Sequence, residues 1–569
     1  MKNLNITILS GGSGNDSLIK GLKGIYPGAN IKVIVNAYDN GKSTGICRAV
    51  TGTLGVSDIR KNHSRMYEIV TPNIDMRLKE FYDGRYSFTP GKEPEEIKAK
   101  LKLWGLSKFN PFVDSFFSNP NSHHYMYKDF SVANIVYSQM YKELGYEETN
   151  RIFCTLLNLE DFVLLNSFDN VFINAVTESG KVIKDEGDIV EHCDPKDKIS
   201  KIFYTGDCKE NLNPLATQAV LDADLLVIST GTFWSSIYPT LEYGNFYETI
   251  NRSKAKKIWA INCSEDKDAY AVSSEDFAKI VQTLGLDLSE FTVLLNKDAT
   301  EGLKIPPSTL CNVVIASMEN NRGKHNGDKY ARAIFRIFYG IDSADSYDKI
   351  LFDFDDTLWA RNDDNIDVSV ENIKLLNDLL QDKATIISGN TYEWIANKLY
   401  RVYGTELDKF NLDIWADANS VRYVKGQPKD VIEEFFIDNY LDIISYLENE
   451  FEITGTINDE KYPVCIKIRP LGNRERRILA SCLNNVFNSD GPKDCVACCT
   501  GASTIDILHR DNNKSVVLDT RYNDLDRVLY IGDEIDTGND KEIASKCVHS
   551  IHTTGVNETN MLIRLLVGE

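Results

Sequence analysis

Short apolar runs alternate with longer amphipathic stretches along most of this chain. The runs predict buried strands at Ile6–Leu9, Lys32–Val35, Leu225–Ser229, Lys257–Asn262 and Val313–Ala316. The stretch after the first run has apolar residues at helical spacing, which predicts a helix with one buried face. Strands that alternate with helices are typical of parallel sheets covered by helices, so we expect an α/β fold.

A polar segment near the middle of the chain predicts a boundary between domains. The segment "GIDSADSYD", from Gly340 to Asp348, follows a helical stretch and precedes an apolar strand that starts at Lys349. Clusters of Gly, Ser and Asp between two regular stretches are typical of linkers. We therefore predict an N-terminal domain over residues 1–342 and a second region over residues 347–569.

The composition narrows the classes of partner that this chain can have. It has 569 residues, a formal net charge of −21 and 42% hydrophobic residues, enough for several ordinary cores. The acidic surplus disfavours nucleic acid as a partner. No apolar run approaches the ~20 residues of a membrane span, so we expect no membrane partner either. The sequence leaves the oligomeric state open, a homo-oligomer included.

The cysteines and the first residues predict a cytoplasmic protein. The start of the chain, "MKNLNITILSGGSGND", has too short an apolar segment for a signal peptide. Without a signal, the twelve cysteines indicate reduced thiols rather than a disulfide framework. The cluster "CVACC" at Cys495 has no obvious second ligand pair, so we expect a buried strand there.

In the C-terminal half, polar side chains follow several apolar strands at the point where each strand ends. They are Asp353 and Asp355 in "KILFDFDDTL", Ser388 in "ATIISGN", Lys514 in "HRDNNKS", and Asp533 and Asp540 in "VLYIGDEIDTGND". Open parallel sheets bind ligands beyond the carboxyl ends of their strands, so we expect these groups to converge. Several carboxylates repel one another unless a hard cation such as Mg²⁺ lies among them.

This set of side chains fits phosphoryl transfer. The first carboxylate can attack phosphorus and form an aspartyl-phosphate. The second can protonate the leaving oxygen and later activate water. Ser388 and Lys514 can donate hydrogen bonds to the phosphoryl oxygens. The sequence does not decide between a phosphatase and a mutase.

In order and context, these motifs resemble those of the haloacid dehalogenase superfamily of phosphatases and phosphomutases. The resemblance covers about residues 347–569 and implies a Rossmannoid core. It implies that Asp353 is the nucleophile and Asp355 the acid/base. It further implies that Mg²⁺ is held by Asp353, Asp355 and Asp533, with support from Asn539 or Asp540.

The long stretch between Ser388 and Lys514 leaves room for an inserted α/β cap over residues 391–499, with the core at 347–390 and 500–569. The segments "GDEIDTGNDKEI" and "IKIRPLGNRERR" resemble the phosphomannomutase and sugar-phosphatase branch. That resemblance implies that cap arginines such as Arg469 and Arg474 hold a sugar phosphate. The branch pattern Pro-x-Gly-Arg is displaced here, because Asn473 follows the glycine, so a solvated helix face remains the alternative.

Two loops in the N-terminal half have the character of phosphate-binding turns. Gly11, Gly12 and Gly14 follow the first strand, and Asn15 or Asp16 can cap the next helix, whose N-terminus suits an anion. The second loop, "NAYDNGKSTG", ends like a P-loop. The first P-loop glycine, however, is replaced by Asn36, which disfavours a P-loop ATPase.

Further segments extend this pattern: "GVSDIRKN", "KDFSVANIVYSQM", "NPLATQAVLDADLLVISTGTFWSSIYPTL" and "IWAINCSEDKDAY". Together with the two loops they resemble the 2-phospho-L-lactate transferase and gluconeogenesis-factor family over about residues 1–335. The resemblance implies a Rossmann-like domain. One branch transfers a phosphorylated lactyl group from a nucleotide-diphosphate donor with Mg²⁺, and the other binds nucleotide sugars and regulates metabolism.

The resemblance also implies roles for particular residues. The nucleotide phosphates would face Gly11, Gly12, Gly14 and Asn15, the metal or transferred group would lie near Asp39, Ser43 and Asp58, and the pocket would be lined by Asn134, Gly231 and Ser235. Two departures from the family pattern leave transferase activity open. Ser57 replaces a glycine before Asp58, and "SEDKDAY" replaces a Gly-Glu-Thr segment.

Two functions of different classes fit the whole chain. The first is a bifunctional enzyme, in which a phosphodiester-forming transferase uses a nucleotide-activated donor and a Mg²⁺-dependent phosphatase acts on a phosphorylated small molecule. The second is a regulatory protein that senses a nucleotide sugar and carries a phosphatase or phosphomutase domain. The sequence identifies neither the donor, nor the acceptor, nor the phosphate ester.

Overall fold

The computed structural model describes residues 4–11, 15–160, 162–262, 269, 274–297, 310–319, 325–362, 365–469, 473–489, 491–500, 504–522, 525–535 and 540–568. Contacts divide the chain into two compact units, with the division between Phe338 and Tyr339. Among the described residues, no helix is both long and apolar enough to cross a membrane.

The strands of the N-terminal unit are β1 (Asn5–Leu9), β2 (Asn30–Val35), β3 (Val163–Leu165), β4 (Val171–Thr177), β5 (Val182–Lys184), β6 (Ile199–Gly206), β7 (Leu225–Ile228), β8 (Lys256–Ala260), β9 (Phe291–Asn296) and β10 (Asn312–Ala316). In the described part of the chain, a parallel sheet has the order β10-β9-β8-β7-β1-β2-β3. The central strand β1 is buried on both faces, as is usual where helices cover a parallel sheet. The five strands predicted from apolar runs are confirmed.

The helices of this unit are α1 (Asp16–Ile25), α2 (Lys42–Thr51), α3 (Ser57–Val70), α4 (Met76–Asp83), α5 (Glu93–Leu103), α6 (Asn110–Phe117), α7 (Val132–Leu144), α8 (Tyr146–Leu157), α9 (Glu186–Glu191), α10 (Pro214–Leu221), α11 (Tyr238–Glu242), α12 (Phe246–Arg252), α13 (Ser274–Leu284) and α14 (Gly327–Tyr339). The connection from β2 to β3 contains α2 to α8. A small antiparallel sheet, β5-β4-β6, follows β3 and carries the short helix α9.

The strands of the C-terminal unit are β11 (Lys349–Asp353), β12 (Ala384–Ile387), β13 (Asp413–Ala416), β14 (Val421–Val424), β15 (Gln427–Val431), β16 (Gly455–Ile457), β17 (Cys465–Ile468), β18 (Cys495–Thr500), β19 (Thr504–His509), β20 (Val528–Gly532) and β21 (His549–His552). A sheet of the order β15-β14-β13-β12-β11-β20-β21, the core sheet, has β11 between the parallel strands β12 and β20. The second sheet, β16-β17-β19-β18, is antiparallel and is called the cap sheet below.

The helices of this unit are α15 (Ile366–Leu375), α16 (Tyr392–Tyr403), α17 (Tyr440–Phe451), α18 (Asn473–Ser489), α19 (Val516–Arg521), α20 (Lys541–Lys546) and α21 (Val556–Val567). Helices α17 and α18 pack on the cap sheet through an apolar cluster that includes Leu447, Ile466 and Leu483. The strand predicted at Cys495 is present as β18, whose first cysteine is buried and whose Cys499 is exposed.

The inserted α/β part begins and ends later than the predicted cap range of residues 391–499. Helix α16 is the crossover between the parallel strands β12 and β13, and β14 and β15 then extend the core sheet antiparallel. Strand β19, which lies beyond residue 499, pairs with β17 and β18 in the cap sheet. Strand partners therefore set these limits, and the motifs in the sequence do not reveal which strands pair.

Candidate functional site

Three of the predicted acidic side chains meet at one edge of the core sheet. Asp353 is the last residue of β11, Asp533 directly follows β20, and Asp540 directly precedes α20. One carboxylate oxygen from each lies within 4.8 Å of the others. Because β11 and β20 are parallel neighbours, their carboxyl ends bring Asp353 and Asp533 to the same edge.

Lys514 joins this group from the loop before α19. Its buried Nζ donates to Asp353 Oδ1 at 2.5 Å and also to Asp540 Oδ1. The other oxygen of Asp540 accepts from the backbone N–H of Glu534 at 3.2 Å. Burial by itself would lower the pKa of Lys514, but the charges of Asp353 and Asp540 outweigh it and raise the pKa. The lysine is therefore a buried cation between two carboxylates.

The three carboxylates carry more negative charge than Lys514 can neutralise. Burial raises the pKa of Asp353 well above its ordinary value, and although Lys514 opposes this, Asp540 and Asp533 add to it. The pKa of Asp533 rises to about 6, first through burial and then through Asp540 and Glu534. One lysine does not balance these carboxylates. A set of oxygen donors with excess negative charge fits a hard divalent cation such as Mg²⁺.

Asp355 lies two residues beyond Asp353 and has partners of a different kind. Its Oδ2 accepts from Asn390 Nδ2 at 2.6 Å, and its Oδ1 faces Trp394 Nε1 at 3.4 Å. Its carboxylate is not a member of the described group of three that lies within 4.8 Å. The next residue, Asp356, has its backbone in the left-handed region, with φ of 57°. The side-chain hydrogen-bond donors that contact Asp355 are thus neutral groups.

The other predicted residues of this half lie in different settings. Ser388 follows β12, is buried, and its Oγ accepts from the backbone N–H of Asn390 at 3.1 Å. Arg469 follows β17 in the cap sheet and is exposed. Arg474 lies in the first turn of α18, and its side chain is not among the described parts. Asn539 lies outside the described residues.

In the N-terminal unit, the loop after β2 is held around the carboxylate of Asp39. Its Oδ1 accepts from the backbone N–H of Gly41 at 2.8 Å, and its Oδ2 accepts from Thr44 Oγ1 at 3.2 Å and from Ser57 Oγ. Arg48 Nη1 donates to the backbone oxygen of Asp39 at 3.2 Å. These contacts fix the position of the carboxylate before any ligand arrives.

A buried hydrogen-bond chain fixes the hydroxyl beside this loop. Asn134 Nδ2, from α7, donates to Ser43 Oγ at 3.0 Å, and Arg60 Nε, from α3, donates to Asn134 Oδ1 at 2.9 Å. Arg60 also donates to the backbone oxygen of Tyr82. Since arginine only donates, it fixes which end of the Asn134 amide faces Ser43.

These side chains line a cavity of about 410 Å³. Of the predicted residues, the cavity wall includes Asp39, Ser43, Asp58 and Asn134. It also includes three cationic residues, Arg60, Lys61 and Arg85, together with Glu186 from α9. The cavity therefore combines carboxylates and cations, which is the mixture expected for a metal-bridged phosphate ligand.

Glu186 is a cavity residue that the sequence interpretation missed. Its pKa rises to about 8, first because it is buried and then because Asp39 and Asp58 repel its charge. Burial and Asp39 also raise the pKa of Asp58, although the ammonium of Lys61, 3.2 Å away, opposes this. The small sheet β5-β4-β6 brings α9 to the cavity. No local sequence motif around Glu186 predicts that it lies there.

The first glycine loop lies beside the cavity residue Ser236. A Cβ on Gly11 would lie 3.0 Å from Ser236 Oγ, and one on Gly231 would lie 3.4 Å from the backbone nitrogen of Gly11. Ser235 Oγ contacts Thr232 Oγ1 at 2.5 Å, and Thr232 lines the cavity. A larger residue at Gly11 would therefore require the Ser236 side chain to shift. Gly12 and Gly14 lie outside the described residues.

Asn15 differs from the helix cap that the sequence predicts. It directly precedes α1 and is fully buried, but its side chain makes no capping hydrogen bond. Neither its Nδ2 nor its Oδ1 has a hydrogen-bond partner among the described residues. Leaving a buried amide unpaired costs about 1–3 kcal/mol.

Asn36, which stands where a P-loop has its first glycine, joins two loops. Asn36 Nδ2 donates to the backbone oxygen of Ser236 at 2.9 Å and to Thr240 Oγ1 at 3.0 Å. The side chain thus ties the loop after β2 to the segment after β7. Asn36 therefore occupies, with its side chain, the place at which a P-loop has a glycine without one.

Comparisons of the sequence with known proteins find matches to the N-terminal part of the chain. A family model described as 2-phospho-L-lactate transferase CofD matches residues 6–315. The gluconeogenesis factor of Listeria innocua is 23% identical over 323 residues, which are 56% of this chain and 83% of that protein.

Solved structures resemble each half of the chain. Protein BH3568 from Bacillus halodurans is 19% identical with a TM-score of 0.43, covering 59% of this chain and 100% of that one. A haloacid dehalogenase-like hydrolase from Bacteroides thetaiotaomicron is 13% identical with a TM-score of 0.29, covering 38% of this chain and 99% of that one. The family model spans more than half of the chain, and the protein therefore belongs to the 2-phospho-L-lactate transferase CofD family.

Proposed function

We propose that this chain is a bifunctional enzyme of small-molecule metabolism. Its C-terminal unit would be a Mg²⁺-dependent phosphatase that acts on a sugar-phosphate-like metabolite through an aspartyl-phosphate. Its N-terminal unit would be a transferase-like centre that binds a nucleotide-diphosphate-activated donor. The convergence of Asp353, Asp533 and Asp540 around the buried cation Lys514 carries the phosphatase proposal.

Each side chain of the C-terminal site has a role in this proposal. Asp353 attacks phosphorus, the bond from phosphorus to the leaving oxygen breaks, and an aspartyl-phosphate forms. Asp355 gives its proton to the leaving oxygen and then takes one from the water that releases phosphate. Lys514 and Ser388 donate to the phosphoryl oxygens. Mg²⁺ would be held by Asp353, Asp533 and Asp540 and would neutralise negative charge on the phosphoryl group; the Asp355 carboxyl lies outside this group and stays available for proton transfer.

Removal of divalent metal is expected to stop hydrolysis. Protein treated with EDTA should release no phosphate from a panel of sugar phosphates, nucleotides and p-nitrophenyl phosphate, and added Mg²⁺ should restore release. Metal binding requires ionised carboxylates, and the pKa of Asp533 is about 6, so Mg²⁺ affinity should weaken as the pH falls below 6. Phosphate release and calorimetric Mg²⁺ titrations at several pH values measure both effects. Full activity in EDTA would contradict the metal dependence.

The contents of the N-terminal cavity support a donor with a diphosphate. Arg60, Lys61 and Arg85 can pair with phosphate oxygens, and Asp39 and Asp58 can hold a bridging divalent cation. The side-chain amide of Asn15, which has no hydrogen-bond partner among the described residues, would give a phosphate or a ribose hydroxyl a partner. Such a ligand would also relieve the repulsion between Asp39, Asp58 and Glu186.

A second function of this unit, sensing of a nucleotide sugar, is favoured by one local contact. Ser57, which stands where the family pattern has glycine, donates to Asp39, so that carboxylate already accepts three hydrogen bonds. A carboxylate that already accepts three hydrogen bonds has fewer lone pairs left to coordinate a catalytic metal. Titration with nucleotide sugars, followed by calorimetry and by ³¹P NMR, separates the functions. Donor turnover supports the transferase, and tight binding without turnover supports the sensor.

Asp39→Ala is expected to weaken nucleotide binding and to leave phosphate release unchanged. The substitution removes the acceptor that orders the loop from Asp39 to Thr44, so the affinity should fall about tenfold or more. Calorimetry with the best nucleotide ligand measures this loss. Asp188 is an exposed aspartate on α9, so Asp188→Ala is the matched control and should bind the nucleotide with wild-type affinity. Equal loss of both activities in Asp39→Ala would show a single coupled site.

A further inference from the structure

A lysine of the cap sheet reaches the group that holds the proposed acid/base. Lys467 lies on β17, between Ile466 and Ile468, whose side chains belong to the apolar core of the cap. Successive side chains of a strand point to opposite faces, so Lys467 projects from the face opposite to these two isoleucines. Its Nζ donates to Asn390 Oδ1 at 3.1 Å, and Asn390 follows β12 of the core sheet.

The lysine decides the orientation of the Asn390 amide. A lysine ammonium only donates hydrogen bonds, so the amide oxygen must face Lys467. The amide nitrogen then faces Asp355 and donates to its Oδ2 at 2.6 Å. A flipped amide would place its oxygen against the carboxylate, where two acceptors repel each other. The charge of Lys467 also polarises the amide, which strengthens its hydrogen bond to Asp355.

The backbone of Asn390 is fixed independently of the lysine. Its N–H donates to Ser388 Oγ at 3.1 Å, and its carbonyl oxygen accepts from the backbone N–H of Asp417 at 2.8 Å. The side-chain amide can therefore rotate on a stationary backbone. Of its two described side-chain contacts, one is to Asp355 in the core and the other to Lys467 in the cap sheet.

We propose that Lys467 is a positioning residue that orients Asp355 through Asn390, so that protonation of the leaving group requires the cap sheet to be in place. This rests on the proposed phosphatase function. In the reaction, the bond from Asp353 to phosphorus forms while the bond to the leaving oxygen breaks, and the proton of Asp355 moves to that oxygen. Lys467 transfers no proton and touches no substrate in this role. Its effect on the first step, in which the aspartyl-phosphate forms, is confined to esters whose leaving oxygen must be protonated, whereas its effect on the later attack of water is the same for every ester.

The dependence on the leaving group tests this proposal. p-Nitrophenolate leaves without being protonated, whereas the alkoxide of an alkyl or sugar phosphate needs a proton as it leaves. In the whole chain with Mg²⁺, Lys467→Met should lower kcat/KM, which reports formation of the aspartyl-phosphate, about 10- to 100-fold for the best alkyl phosphate of the panel. The same variant should keep kcat/KM for p-nitrophenyl phosphate within about twofold of the wild type. Lys467→Arg, which retains a donor, should restore part of the loss.

A double-mutant cycle with Asn390→Ala shows whether the lysine acts through the amide. The double variant should be no slower on the alkyl phosphate than Asn390→Ala alone, because both changes remove one chain of contacts. Lys493→Met, an exposed lysine of the same inserted part, is the charge-matched control and should behave as the wild type. Additive losses, equal losses on both esters, or no loss would each overturn the proposal.

The wild-type protein separates this inference from the proposed function. Hydrolysis of p-nitrophenyl phosphate without hydrolysis of any alkyl phosphate would leave the phosphatase standing and overturn the role of Lys467. No hydrolysis of either ester with Mg²⁺ would overturn the phosphatase and, with it, the role of Lys467. A loss in Lys467→Met that is restricted to alkyl phosphates supports both.

Discussion

Asp353→Asn is expected to abolish Mg²⁺-dependent hydrolysis of phosphate esters. The amide is uncharged and cannot attack phosphorus, so no aspartyl-phosphate can form. The rate should fall by a factor on the order of 10⁴ or more, as expected when a nucleophile is removed. Phosphate release from p-nitrophenyl phosphate and from the best metabolite of the panel measures the loss. A second readout is ³²P labelling of the acid-quenched protein, which should be present in the wild type and absent in the variant.

The same substitution should leave the fold intact. Burial, together with Asp540 and Asp533, disfavours the ionised form of Asp353 and raises its pKa, so a neutral amide of the same shape suits this place. Lys514 keeps Asp540 as its partner. Asp356→Asn is the matched control, since Asp356 is half-exposed and paired with Arg361, and asparagine tolerates its left-handed backbone. Retained hydrolysis in Asp353→Asn would contradict the nucleophile assignment.

The convergence of the acidic side chains in the C-terminal unit can be predicted from the sequence because two of them follow strands directly. Asp353 ends β11 and Asp533 follows β20, and two neighbouring parallel strands bring such residues together whatever lies between them in the chain. The contact of Lys467 with Asn390 has no such local origin. It depends on where the cap sheet rests against the core, which in turn depends on strand pairing that no motif encodes.

The N-terminal cavity shows the same limit. Asp39 and Ser43 follow β2, and their loop can be identified from its own residues. Glu186 is far from both in sequence and reaches the cavity on a six-residue helix attached to a separate antiparallel sheet. Its pKa of about 8 reflects neighbours that only the folded chain supplies. A residue such as Glu186, which reaches the cavity only through tertiary contacts, cannot be identified from a single sequence.

Lys514→Met is expected to destabilise the C-terminal unit as well as to stop hydrolysis. The substitution leaves Asp353 and Asp540 buried without their cation, and breaking a buried ion pair in this way costs about 3–5 kcal/mol. Hydrogen exchange of peptides from residues 347–569, followed against urea in the full chain, measures the free energy of unfolding of this unit. The loss should shrink when Asp540→Asn is added, because the second change removes one of the two uncompensated charges.

Two conditions distinguish this electrostatic origin from a loss of packing. Mg²⁺ bound among the carboxylates should recover part of the stability, because it binds the folded state and replaces the missing positive charge. Lower pH should also reduce the loss. In the folded variant the pKa of Asp353 stays above its unfolded value, so protonation relieves the uncompensated charge as the pH falls, and the destabilisation grows as the pH rises. A loss of unfolding free energy that is the same at pH 5 and pH 8, and the same with and without Mg²⁺, would mean that Lys514 contributes through its packing. In that case Lys514→Ala would destabilise the unit more than Lys514→Met does.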